Sequence, residues 1–448
     1  MGPGKPDYST LEVDERDHTL PEVVVKPNVH DYPEALDTTA KEVVPPTTTG
    51  VAAHRSGTIC GIRKRNFWIL LVLILLIVIG VAVGVGVGVG TSNQSKGDSS
   101  AASSTTTSRT GVAANSRLAA NNYTDADGFE HSQLYYQDKS LVIYNADYSN
   151  ATGAWTLKEV VAANNVTDMT PRNGTPIAAG NWFNDVTDSD FRVLWADKNN
   201  SIRAVYVLNE SISTGWNILP QIDNLFSIDE GSSLVEYLGM CNQTTTCNAA
   251  DFFGYEAPSS DGIQLEWRYG RGDSGRLSVT SGNSISPDEG TAMAAAPIPK
   301  IESRNMSYPI VALYFVQGEA LVELRGGADL DWTNTNLKPD GSSVPVDAGA
   351  QLAAMTQYRD DDYNIQVLMT KSGGGVKMAY MNGDRWAWTN SVEGMESVMA
   401  LSPIAANQLG RVYAFENSTA GPQIVEWQRI TGDMPTFQRV GSVNTTRS

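Results

Sequence analysis

The chain has 448 residues, with 32 Lys and Arg against 50 Asp and Glu, for a net charge of −18. That acidity offers nothing to neutralise a phosphate backbone and excludes nucleic acid as a partner. Of four histidines only His131 lies beyond residue 90, so a multi-histidine metal centre is ruled out and any Ser-His-Asp triad would have to use that one residue. No glycine-rich phosphate loop occurs, and neither a cofactor nor a metal is expected.

The first segment, 1–66, carries 8 basic and 10 acidic residues, seven prolines from Pro3 to Pro46 and few large apolar side chains. Such a composition cannot bury a core, and it predicts a disordered tail. Gly2 does not open a myristoylation signal because Pro6 stands where Ser or Thr is needed, and Cys60 reads as an inert thiol. Residues 67–90 hold 24 residues without a charge, long enough to cross a bilayer. Arg63-Lys64-Arg65 precede that span, which predicts an uncleaved signal anchor with a cytosolic N-terminus and an extracellular C-terminus. Within its Gly-Val half, Gly80, Gly84 and Gly88 share one helical face, a pattern that permits self-association but also fits a low-complexity anchor end. Residues 91–116, rich in Ser, Thr, Gly and Ala, read as a stalk.

Asn-x-Ser/Thr sequons support the same topology, because all of them follow the span. They stand at Asn93, Asn122, Asn150, Asn165, Asn173, Asn199, Asn209, Asn242, Asn305, Asn417 and Asn444. Cys241 and Cys247, the two cysteines beyond the span, are expected to close a small loop disulfide. Beyond the span 24 basic face 40 acidic residues, a net −16 that suits solubility outside the cell.

From 117 to 448 a short step recurs: Leu118-Ala119-Ala120, Ile177-Ala178-Ala179, the degenerate Leu234-Val235-Glu236, Met293-Ala294-Ala295, Leu352-Ala353-Ala354 and Ile404-Ala405-Ala406. The intervals are 59, 57, 59, 59 and 52 residues, the signature of a stacked repeat. After each step come short β-branched and aromatic runs, such as Phe191-Arg192-Val193-Leu194-Trp195 and Ile202-Arg203-Ala204-Val205-Tyr206, often closed by a Trp. These are strand signals with no helical period competing. Six units too short to be sandwiches predict an all-β, six-bladed β-propeller, which wraps its sheets about an axis and leaves no long edge exposed.

The strand pattern resembles the fungal fucose-specific lectins, six-bladed propellers whose repeats run Leu-Ala-Ala, Ile-Arg-Val-Tyr-Tyr, Ile-x-Glu and Gly-x-Trp. Phe191-Arg192-Val193, Ile424-Val425-Glu426 and Thr214-Gly215-Trp216 carry the likeness, which spans about 118–440. The resemblance implies a sugar pocket between blades, built from a strand Arg, the following Glu and an aromatic of the next blade. Only the sixth repeat keeps both charged residues, so the expected pocket is Arg411, Glu426 and Tyr123, the last five residues after Leu118. Elsewhere the charged positions fall on Gln133 and Ile143, Arg192 and Ala204, Ala312 and Glu323, and Gln366 and Met378. Arg192, Glu323, Trp182 and Tyr358 are therefore partial-site candidates.

Ser227-Ile228-Asp229-Glu230-Gly231 and Ser286-Pro287-Asp288-Glu289-Gly290 imitate a sialidase box but lack its closing Trp, and read as interblade turns. The expected function is a membrane-anchored, cell-surface protein that binds fucosylated or related glycans and does no covalent chemistry. A glycan-blind scaffold or adhesion head is the alternative, and a glycoside hydrolase, whose two carboxylates would come from distant repeats, the remote one.

Overall fold

The computed structural model describes residues 111–446, without 161–168, 186–187, 209–214, 240–249, 259–261, 270–272, 279–284, 299–309, 328–329, 360–361, 384, 420, 431 and 433, together with 58–59 and 62–63. The chain divides into two units, Met1–Ala102 and Ser103–Ser448. In the first, Thr58–Ile59 pairs antiparallel with Ile62–Arg63. The expected span 67–90, most of the tail, and the Cys241–Cys247 pair lie outside the described residues. Among the described residues no helix is long and apolar enough to cross a membrane.

The second unit is six four-stranded antiparallel sheets, each built from consecutive strands. Their inner strands are Leu118–Thr124, Ile177–Asp185, Leu234–Gly239, Ala294–Ile298, Leu352–Arg359 and Ile404–Ala406. Each begins at or one residue after a repeat step, so the sequence period is the blade period. Leu118, Ile177, Leu234, Met293, Leu352 and Ile404, one from each repeat, line one small axial cavity of about 50 Å³. The inner strands contact one another in turn around the ring, and the last touches the first.

Why the strands are so apolar follows from their two buried faces. In blade 1 the second strand, Glu130–Gln137, sends Leu134 and Tyr136 toward Ala405, Tyr413 and Phe415 of blade 6. The intervening Tyr135 packs with Ile177, Val193 and Trp195 of blade 2. A period of two places alternate side chains against different neighbours, and every blade is half of two cores. The second strand of blade 4, Ile310–Gln317, is accordingly buried at every residue up to Val316.

The ring closes by side chains and packing, without a shared strand. Asn407 Nδ2 donates to Ser132 Oγ at 3.1 Å, and the Gln408 N–H donates to Asn122 Oδ1 at 2.8 Å. The sequon Asn122 thus sits in the closing seam, whereas Asn150, Asn173, Asn199, Asn417 and Asn444 are exposed.

Residues 111–116, expected to be the end of the stalk, are docked on blade 1. The Ala113 N–H bonds the Gln137 carbonyl at 3.0 Å, and the fully buried Ser116 accepts the Gln137 N–H at 2.7 Å. Small polar residues read as a linker until a neighbouring strand end takes up their hydrogen bonds. The expectation of turns at the two box imitations holds for Asp288, whose carboxylate accepts the N–H groups of Gly318 at 2.6 Å and Glu319 at 3.0 Å.

Candidate functional site

Between blades 6 and 1 the second strand Arg411–Ser418 and third strand Gly421–Ile430 meet the outer half of blade 1. Tyr413 lies opposite Glu426 in the ladder, and Arg411 opposite Gln428. Alternation therefore gives Arg411, Tyr413 and Glu426 one common face. Arg411 Nη1 lies 3.0 Å from Glu426 Oε1, and the Tyr413 hydroxyl donates to the same oxygen at 3.1 Å. The two charges differ in access: the Glu426 side chain is 4 % exposed and that of Arg411 22 %. Burial pushes the Glu426 carboxyl above its usual range, against the opposing pull of Arg411 and the Tyr413 bond.

The aromatic wall comes from blade 1, but Tyr123 is not in it. The Arg411 guanidinium lies 5.7 Å from the centroid of Tyr148, on the third strand Ile143–Ser149. Trp155, on the outer strand Ala154–Glu159, packs 5.4 Å from Tyr148 and edge-on to Tyr413 at 6.0 Å. Tyr123 instead stacks on His131 at 4.4 Å and packs against Phe183 and Phe191 of blade 2. It stands on an inner strand, and its face of the sheet looks at the following blade, not the preceding one. His131 is half-buried within a strand between Asp125 at 3.3 Å and Asp147 at 3.1 Å. Burial alone would lower its pKa, but the hydrogen bonds and charges of Asp147 and Asp125 raise it.

Four of the other boundaries, 1–2, 2–3, 3–4 and 5–6, lack this constellation in different ways. In blade 1 the ladder places Asn145, not Ile143, opposite Tyr135, so Gln133 and Asn145 occupy the two charged positions. Both amides are buried and bonded to the Tyr135 hydroxyl, which donates to Gln133 Oε1 at 3.1 Å and accepts from Asn145 Nδ2 at 3.2 Å. Arg192 keeps its position but is consumed: Nη2 lies 2.6 Å from Asp190 Oδ2, and Nη1 bonds Asp251 of blade 3. Burial would lower its pKa, but the carboxylates of Asp251 and Asp190 raise it further. Trp182 lies across the ladder from Asp190. At the boundary of blades 3 and 4, Phe252 meets Trp332 edge-on at 5.8 Å and the cleft is apolar. Between blades 5 and 6, Arg429 donates to Gln366 Oε1 at 2.5 Å, and burial pulls its pKa down to about 10.

Glu323, a partial-site candidate like Tyr358, accepts from the Tyr314 hydroxyl at 2.9 Å and lies 3.0 Å from Arg325 Nη2. The side chain of Tyr358 lies outside the described residues. Asn417 is at the far end of its strand from Arg411, about 20 Å along it at the usual rise per residue. Among the described residues no group of His, Cys, Asp and Glu could hold a metal ion.

Sequence reasoning found the Arg411–Glu426 pair and missed Tyr148 and Trp155. A Trp near the end of most repeats was the available signal, since Trp155, Trp332 and Trp386 all lie on outer strands.

No protein-family model and no curated protein matches the chain. Solved structures do. One is the Aleuria aurantia lectin, reported as a six-bladed β-propeller with a novel fucose recognition mode, at 17 % identity and TM-score 0.57, covering 76 % of this chain and 99 % of that one. The SapL1 lectin in complex with α-methyl fucoside matches at 16 % identity and TM-score 0.52, over 75 % of this chain and 98 % of that one. AofleA from Arthrobotrys oligospora matches at 15 % identity and TM-score 0.52, over 74 % and 89 %. The chain shares the six-bladed propeller fold of these fungal lectins.

Proposed function

We propose that this chain is a membrane-anchored, cell-surface propeller that binds fucosylated glycans in the cleft between blades 6 and 1. The observation that carries the reading is the Arg411–Glu426 pair set beneath Tyr148 and Trp155. A carboxylate accepts from sugar hydroxyls, a half-open guanidinium donates to sugar oxygens, and an aromatic face covers C–H groups. The fold of the Aleuria aurantia lectin, solved elsewhere with bound fucosides, supports that class of ligand.

The anchor reading rests on the 24 uncharged residues of 67–90 and the basic triplet before them. The head then stands outside the cell on the 91–110 stalk. A single pocket of this size binds a monosaccharide with Kd of about millimolar to micromolar. Clustering in the membrane, aided by the Gly80, Gly84 and Gly88 face, supplies avidity.

A second reading, a scaffold blind to glycans, draws on the clefts that have closed, above all Arg192 locked between Asp190 and Asp251. A glycan array probed with the full-length chain separates the two. Fucosylated spots that vanish with Arg411→Ala are expected, whereas a blank array with the native chain would favour the scaffold.

A further inference from the structure

The boundary of blades 4 and 5 repeats the geometry of the blade 6–1 cleft, although its second strand has lost the arginine. Glu323 lies opposite Tyr314 in the ladder, as Glu426 lies opposite Tyr413. Ala312 lies opposite Arg325, as Arg411 lies opposite Gln428. The cation has thus moved to the other member of the same cross-strand pair. Two residues from Glu323 on one strand, Arg325 still shares its face.

The resulting distances coincide. The ion pair is 3.0 Å in both clefts. The tyrosine hydroxyl donates to the glutamate at 2.9 Å in one and 3.1 Å in the other. Trp386 of blade 5 meets Tyr314 edge-on at 6.1 Å and 73°, and Trp155 of blade 1 meets Tyr413 at 6.0 Å and 80°. Access is alike too: the arginine is 28 % exposed over a 6 % exposed glutamate here, against 22 % over 4 % there. The one substitution in the wall is Met381, which takes the ladder place of Tyr148 opposite the tryptophan.

We propose that this cleft is a second sugar pocket, built from Glu323, Arg325 and Trp386, that takes the same class of neutral pyranoside. It rests on the reading of the blade 6–1 cleft. Because Met381 offers a softer and less specific wall than a tyrosine ring, this pocket is the weaker of the two. A chain with two pockets two blades apart engages branched or clustered glycans bivalently.

The test is calorimetric titration of the full-length chain with methyl α-L-fucoside. Two sugars per chain are expected, with Arg411→Ala leaving only the weaker site and Arg325→Ala only the tighter. Glu323→Gln, which keeps the Tyr314 hydrogen bond and the shape, serves as the second variant should Arg325→Ala fail to fold, and it too should remove the weaker site. One sugar per chain, abolished by Arg411→Ala and untouched by Arg325→Ala or Glu323→Gln, would overturn this pocket and leave the first intact. No binding to the native chain would overturn the first reading, and this one with it.

Discussion

Replacing Glu426 by Gln should separate binding from stability. Glu426 is nearly buried, receives Arg411 and the Tyr413 hydroxyl on one oxygen, and is held above its usual pKa mainly by burial. A carboxyl raised in the folded state contributes stability that is present below its unfolded pKa and lost as pH rises through the folded one. At neutral pH the charge is therefore a liability to the fold, and Gln keeps an oxygen for Tyr413 while removing that charge. Folding stability at pH 7 should stay within about 1 kcal/mol of the native value or rise. Sugar binding should suffer, because each hydrogen bond to a charged group contributes about 1.5–3 kcal/mol, roughly 10- to 150-fold in Kd. Urea unfolding and fucoside titration of the two proteins read both quantities. In the native chain binding should also fade on acidification at a pH above the usual glutamate range, and that inflection should be absent from the variant. Unchanged affinity, or a stability loss well beyond 1 kcal/mol, would refute the reasoning.

Glu236, buried beside Asp251, Asp190 and Arg192, has its pKa raised by burial first and by the Asp251 charge next, against the lowering pull of the Arg192 charge and the Gly180 N–H. Its ionisation weakens the fold as pH rises, so Glu236→Gln should stabilise the chain at pH 8 by about 1–3 kcal/mol and have little effect at pH 4, by urea midpoints at each pH. Gly394 has φ 85°, and an added Cβ would stand 1.7 Å from the Phe437 carbonyl oxygen. Gly394→Ala should therefore cost about 3 kcal/mol or more, seen as a fall in thermal midpoint. Trp155→Ala removes a ring packed on both Tyr148 and Tyr413. It should cost about 2–4 kcal/mol and abolish fucoside binding at the blade 6–1 cleft, whereas Tyr123→Phe should leave that binding unchanged.

The blades were legible because a repeat step that lines the axis must recur at the blade period, and Leu118 through Ile404 do so. Strand identity was legible for the second and third strands, which are buried on both faces and read as continuous apolar runs. Outer strands were not, since the half-exposed Ala154–Glu159 and Arg385–Thr389 carry mixed sequences that no periodicity marks. Register explains the site errors. Ile143 and Asn145 lie on the same face two residues apart, and only the ladder shows which one meets Tyr135. Tyr123 failed for a related reason: its distance from the repeat step says nothing of which neighbouring blade its side chain meets. Arg325 escaped notice because its cation sits on the third strand, where a motif based on a second-strand arginine does not look.

The most direct measurement is a structure of the full chain determined with methyl α-L-fucoside. The account predicts the sugar between blades 6 and 1, its hydroxyls on Glu426 and Arg411 and its apolar face on Trp155 or Tyr148. A fucoside bound elsewhere with that cleft empty, or no bound sugar at saturating concentration, would contradict it.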